Sequence, residues 1–151
     1  MANERAIEVL NRLLAAEFES VAPRLAQADP YVSLPSSDDQ AVVANMLRDV
    51  TTHERELTQM ILSLRGAPVT RRFATDSGGM HYVRLSHLMP SVLANIKQLI
   101  SLYESSAGTT GSREADGLIS RILDNYRRHF AGLEELHANL AAEKAPANAA
   151  K

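Results

Sequence analysis

APVTRRFATDSGGMHYVRLS, residues 67–86, interrupts a chain that is otherwise patterned for helices. The stretch has no 3.6-residue apolar period, it is punctuated by Pro68 and by Asp76-Ser77-Gly78-Gly79, and it is longer than neighbouring helices need as a connection. Two amphipathic segments precede it and two follow it, each pair joined by a shorter link. A long middle connection between two such pairs is the pattern of an antiparallel four-helix bundle with one crossover, since a simple up-and-down bundle would have no use for it.

Working outward, Asn3 to Gln27 carries Ala6, Leu10, Leu13, Leu14, Val21 and Leu25 at spacings of three and four, one apolar face of a first helix. Pro23 lies late in it and predicts a kink or an early stop. Asp29 to Pro35 reads as a loop, and Ser36, Ser37 or Asp38 supplies the cap of a second helix, with Asp39 adding favourable charge in its first turn. That helix faces inward with Val43, Met46, Val50, Leu57, Ile61 and Leu64, and it stops at Arg65-Gly66-Ala67-Pro68, where Gly66 is expected to take the left-handed cap conformation. Beyond the crossover, a third helix starts near Ser86 to Pro90 and carries Val92, Ile96, Leu99, Ile100 and Tyr103. Ser112 caps a fourth, with Leu118, Ile119, Ile122, Tyr126, Leu133, Leu136 and Leu140 on its face. The pattern predicts an all-α domain over 1–142 with helices over 4–28, 39–65, 88–106 and 113–142, and a flexible, frayed tail over 143–151.

Composition narrows the function classes. The 151 residues are 45% apolar and 23% charged, which suits one soluble domain. The absence of cysteine excludes disulfide scaffolds, zinc knuckles and thiol catalysis, and fits a reducing, cytoplasmic location. Sixteen Lys and Arg stand against eighteen Asp and Glu, so no basic excess favours nucleic acid or an anionic membrane, and neither is expected as a partner. No apolar run approaches the roughly 18 residues of a membrane helix. Glycine-rich phosphate loops, nucleophile elbows and paired catalytic carboxylates are missing from the pattern, so no catalytic residue is assigned.

Three ionisable residues fall on seams where hydrocarbon is expected: Glu17 on the first helix, His53 on the second and His129 on the fourth. At 1.5 Å per residue, Glu17 is roughly 15 Å from one helix end and His53 roughly 20 Å into its own, while His129 is about 24 Å along the fourth helix. Those depths predict convergence near mid-bundle, and a carboxylate with two imidazoles suits Fe, Mn or Zn. The competing expectation is that each is a core residue hydrogen-bonded to a neighbour, with Tyr126 able to satisfy either partner. His81, Tyr82 and His87 around the crossover and the pairs Arg71-Arg72 and Arg127-Arg128 read as surface features, while His137, a pair of helical turns beyond His129, either extends the polar seam or faces solvent.

The run Leu10-Asn11-Arg12-Leu13-Leu14-Ala15-Ala16-Glu17 resembles the opening helix of the bacterioferritin type, in which L-N-x-x-L-x-x-E delivers the first iron-ligating Glu. His53 to Leu64, followed by Arg65-Gly66-Ala67-Pro68, is similar to that family's second helix with its ligand His and terminal Gly-x-Pro. The resemblance spans about residues 4 to 140 and implies a ferritin-like superfamily bundle. It also implies what has been lost, because the family's acid three residues before each His is Val50 or Tyr126 here, and its helix-three Glu has no counterpart. Asp49 and Glu54 are the nearest substitutes. The haem-binding Met two residues before the His is Thr51, so haem is not expected. Too few carboxylates remain to hold two cations side by side. The expectation is therefore a single transition-metal ion on Glu17, His53 and His129 with weak redox or iron-handling activity, or else a metal-free structural or partner-binding module. A homodimer is expected through Val9, Phe18, Val42 and Leu62, which lie off or at the edge of the main seams.

Overall fold

A computed structural model describes residues 2–20, 37–70 and 85–149, with side chains over 3–20, 41–70 and 88–139. The helices are α1 (Ala2–Glu19), α2 (Ser37–Ser63), α3 (Leu85–Ser106) and α4 (Arg113–Ala149), and the described residues contain no strand. Helix α1 packs on α2, α3 on α4, α2 on α4 and α1 on α3, so each helix has two principal neighbours around one core. No described helix is long and apolar enough to cross a membrane.

The seams close as the spacing predicts. Leu10, Leu13 and Leu14 of α1 meet Met46, Leu57 and Ile61 of α2, Val92, Ile96 and Leu99 of α3, and Ile119, Ile122 and Leu133 of α4 in one buried cluster. Each such side chain contributes about 1.5–3 kcal/mol on leaving water. Val9, expected at a subunit contact, belongs to this core at 3% exposure, because the buried arc of α1 is wider than a strict three-and-four stripe. Phe18 and Val42 pack half-buried against the core, which leaves Leu62 as the exposed member of that set.

Helix ends differ from expectation at several places. Helix α3 opens at Leu85, so Pro90 sits inside it rather than in the first turn, on the exposed side, where it forgoes one backbone bond. Helix α4 continues past 142 to Ala149 through an alanine-rich stretch that includes Pro146. Pro23, the loop at Asp29 to Pro35, the turn at Asp76 to Gly79, Arg71-Arg72, His81 and Tyr82 lie outside the described residues, as do the side chains of His87 and Leu140.

At the end of α2 the left-handed residue is Arg65, with φ of 65°, not Gly66. Arg65 N–H donates to Leu62 O at 3.0 Å and Gly66 N–H to Ile61 O at 2.9 Å, the bond pair of a Schellman cap. Glycine is needed at 66 for a different reason: a Cβ there would lie 2.7 Å from Ile7 Cγ2 of α1. Asn11 of α1 then clamps the following turn, donating to Ala67 O at 3.0 Å and accepting from Val69 N–H at 2.9 Å. Gly66→Ala should therefore lower stability by about 1–3 kcal/mol through overpacking on Ile7, whereas Arg65→Gly should raise it. Urea denaturation of the two variants reads both signs, and a stabilising Gly66→Ala would refute the close-contact argument.

The α3–α4 link turns on Gly108 and Gly111, with φ of 72° and 77°. Ser112 caps α4 as expected, its Oγ accepting from Ala115 N–H at 3.3 Å. Arg5 Nε reaches Thr109 O at 2.8 Å and ties α1 to this corner.

Candidate metal centre

Glu17 lies on the α1 seam one turn beyond Leu13 and Leu14, fully buried. Tyr103 of α3 donates its phenol O–H to Oε1 at 2.6 Å, and Tyr126 of α4 donates to Oε2 in a still shorter bond. The two rings stand 5.7 Å apart, both fully buried. One carboxyl group thus joins three helices. Burial pushes the Glu17 carboxyl up to about 8; the two phenol bonds offset part of that rise, and the charge of Glu54 adds to it. Both phenols are pushed well above their ordinary range, first by burial and then by the nearby Glu17.

His53 of α2 approaches the same group from the other side. Its ring meets Tyr126 edge-on at 4.7 Å between centroids, and it is 4% exposed. Nε2 lies 2.8 Å from Asn125 Oδ1, Asn125 Nδ2 donates to Asp49 Oδ2 at 3.0 Å, and His129 Nε2 lies 2.7 Å from that same oxygen. The chain of bonds fixes the protons. A carboxylate only accepts, so Asn125 turns its amide N–H toward Asp49 and its carbonyl toward His53, and the imidazole proton of His53 therefore sits on Nε2. Nδ1 is left bare, buried and without a hydrogen-bond partner among the described residues; Glu17 Oε1 is 3.7 Å away. Burial lowers the His53 pKa to about 4, against a smaller opposing effect of the Asn125 bond and Asp49, so the ring is neutral at pH 7. Burial would raise Asp49, but the bonds from Asn125 and His129 and the two imidazoles outweigh it and hold its carboxyl below the usual range.

Of the three seam residues singled out by sequence, Glu17 and His53 come together and His129 does not join them. Tyr126 points inward at Glu17, and three residues further on the side-chain direction has advanced by about 300°, so His129 is turned toward Asp49 at the rim. It reaches His53 only through Asp49 and Asn125. Val50, at the lost acidic position, packs into the dry core at 2% exposure. Two participants were not singled out, Tyr103 and Asn125. A tyrosine on a buried seam must find an acceptor for its O–H, and Glu17 was the acid available; Asn125 precedes His129 by the same four residues that separate Asp49 from His53. Of the remaining candidates, His137 is half-buried, and Arg127 is exposed beside Glu104 at 3.8 Å and Asp124 at 3.5 Å.

A hollow of about 200 Å³ opens beside this network, lined by Asp49, His53, Asn125, Arg121 and Arg128 among others. It brings solvent to the outer edge of the relay. A larger hollow of about 550 Å³ between Phe18 and the turn at Ala67 to Thr70 holds no comparable cluster.

The gap between Nδ1 and Oε1 decides what can occupy it. At 3.7 Å it is too long for a direct hydrogen bond, and a bridging water would have to make two bonds of about 2.8 Å at roughly 80° to each other. Two metal–ligand bonds of about 2.0–2.2 Å are long enough to meet across it. The proton on Nε2, held by Asn125, is also the arrangement that orients a ligating imidazole. No three His, Asp or Glu side chains among the described residues converge closely enough to hold an ion by themselves, so the pair would draw its further ligands from the phenols or from water. Comparison with protein families, with curated proteins and with solved structures gives no match.

Proposed function

We propose that this chain is a ferritin-like bundle protein that binds a single transition-metal ion between Glu17 and His53. The observation that carries the reading is the bare, buried Nδ1 of His53, aimed by Asn125 at Glu17 Oε1 across 3.7 Å. Asp49 and His129 support it from outside by anchoring Asn125, which makes His129 a positioning residue and not a ligand. A bound Fe, Mn or Zn ion would supply Lewis-acid or, for the first two, one-electron chemistry at that point. A second ion has too little negative charge to hold it, so no ferroxidase centre is proposed. The order of packing around the core puts α2 and α3, consecutive in the chain, across a diagonal, and this supports the crossover topology.

The test is metal analysis of protein purified without an affinity tag and incubated with Fe(II), Mn(II) or Zn(II). A single equivalent per chain is expected, and protein that stays metal-free in all three removes the reading. A second reading has its own support: both oxygens of Glu17 already accept phenol bonds and Val50 keeps the core dry, as in a metal-free structural or partner-binding module. Metal ions would then leave thermal unfolding unchanged. We also propose a homodimer through Leu62 with the half-buried Phe18 and Val42, and light scattering at the 16.5 kDa monomer mass would refute it.

A further inference from the structure

We propose that Tyr103 and Tyr126 are ligands as well as hydrogen-bond donors, so that the centre takes ferric iron on one carboxylate, one imidazole and two phenolates. The proposal rests on the single-ion reading above and goes further by naming the oxidation state and two more donors.

The geometry argues it from four directions at once. The Tyr103 hydroxyl lies 2.6 Å from Oε1, the same oxygen that faces His53 Nδ1 at 3.7 Å. The Tyr126 hydroxyl is bonded to the other oxygen of the same carboxyl group, and its ring braces His53 edge-on. Each of the four helices therefore contributes one donor group to the surroundings of a single buried carboxyl group. Three are hard oxygen donors and the fourth is a borderline nitrogen, a set without sulfur that suits a hard, highly charged cation.

Charge then selects the ion. A buried site must come close to neutrality, because an uncompensated charge in an apolar core is expensive. One carboxylate and two phenolates sum to three negative charges, balanced by a trivalent ion and not by a divalent one. When ferric iron is supplied as a chelate, no electron is transferred: the O–H bonds of both phenols and of the Glu17 carboxyl group break, bonds from iron to these oxygens replace its bonds to the carrier chelate, and three protons pass to the buffer. His53 and Asn125 also line the hollow of about 200 Å³, on the outer side of the network.

Metal-free protein is titrated at neutral pH with ferric nitrilotriacetate and, separately, with Zn(II). Ferric iron is expected to raise a visible phenolate-to-iron charge-transfer band that saturates at a single equivalent, with tyrosinate modes in the resonance Raman spectrum. Tyr103→Phe and Tyr126→Phe should each remove about half of the band and the double variant all of it, while Zn(II) binding by calorimetry persists in all three. Ferric binding without the band, or a band unchanged by both substitutions, overturns the phenolate ligands and leaves the Glu17–His53 ion standing. Failure of both ferric iron and Zn(II) to bind the parent protein overturns the single-ion reading itself. Should a Phe variant lose its helical circular dichroism, the tyrosinate Raman modes of the parent protein decide.

Discussion

Glu17→Gln should weaken metal binding by more than about a hundredfold while leaving the bundle folded, since even groups that only orient a ligand are worth about 10–100-fold in affinity. Gln has the shape of Glu, so it fills the same space among Leu13, Leu14, Tyr103 and Tyr126 without a cavity. Its carbonyl still accepts from one phenol, and its amide N–H can donate to the oxygen of the other. What it cannot do is carry negative charge. With His53 neutral, the substituted site offers a cation only dipoles, in a buried setting where an uncompensated charge is expensive. Calorimetry with Zn(II), alongside far-ultraviolet circular dichroism, separates the lost ligand from a lost fold. Undiminished binding with intact helix content would move the ion elsewhere in the molecule.

That variant also shows what the sequence could and could not say. Seam membership was readable because helical period is a local property: Leu10, Leu13, Leu14, Met46, Leu57, Ile96 and Ile122 are all buried where spacing alone puts them. Glu17 and His53 were readable as exceptions on those seams, and their shared depth followed from the rise per residue. The direction of His129 was not, because Tyr126 and His129 both lie on the inner half of α4, and which one points at Glu17 depends on how α4 is rotated against α1 and α3. A rotation of about 60° separates the two outcomes, and no feature within α4 records it. The roles of Tyr103 and Asn125 escaped for the same reason. Each matters through a partner on another helix, 86 residues away for Tyr103 and Glu17 and 72 for Asn125 and His53. The cap at the end of α2 is a milder case: the left-handed conformation expected of Gly66 falls on Arg65, and glycine at 66 matters instead through its close approach to Ile7 of α1.

The metal-free protein should lose stability between pH 6.5 and pH 8, and Glu17→Gln should abolish the loss. Glu17 holds its proton in the folded state up to about 8 but only to its usual 4.5 when unfolded, so between those values the native state binds more protons and stability falls as pH rises. His53 works in the opposite sense. Its folded value of about 4 lies below the usual 6.5, so stability rises with pH across that interval and is lost as pH falls. The two slopes are each about 1.4 kcal/mol per pH unit and nearly cancel from 4.5 to 6.5. Asp49, held below its usual 3.8, adds its effect only in more acid solution. Above 6.5 the His53 contribution is complete and Glu17 acts alone, over about 1.5 units, for a loss of about 2 kcal/mol or roughly 4–8 °C in Tm. A bound cation reverses this sign, because it keeps the carboxylate ionised and competes with protons for it. Urea denaturation at pH 6.5 and 8.5, run on the parent and Glu17→Gln proteins with and without Zn(II), reads all of these terms. An equal decline in both metal-free proteins would assign it to other groups and show that Glu17 ionises normally inside the bundle.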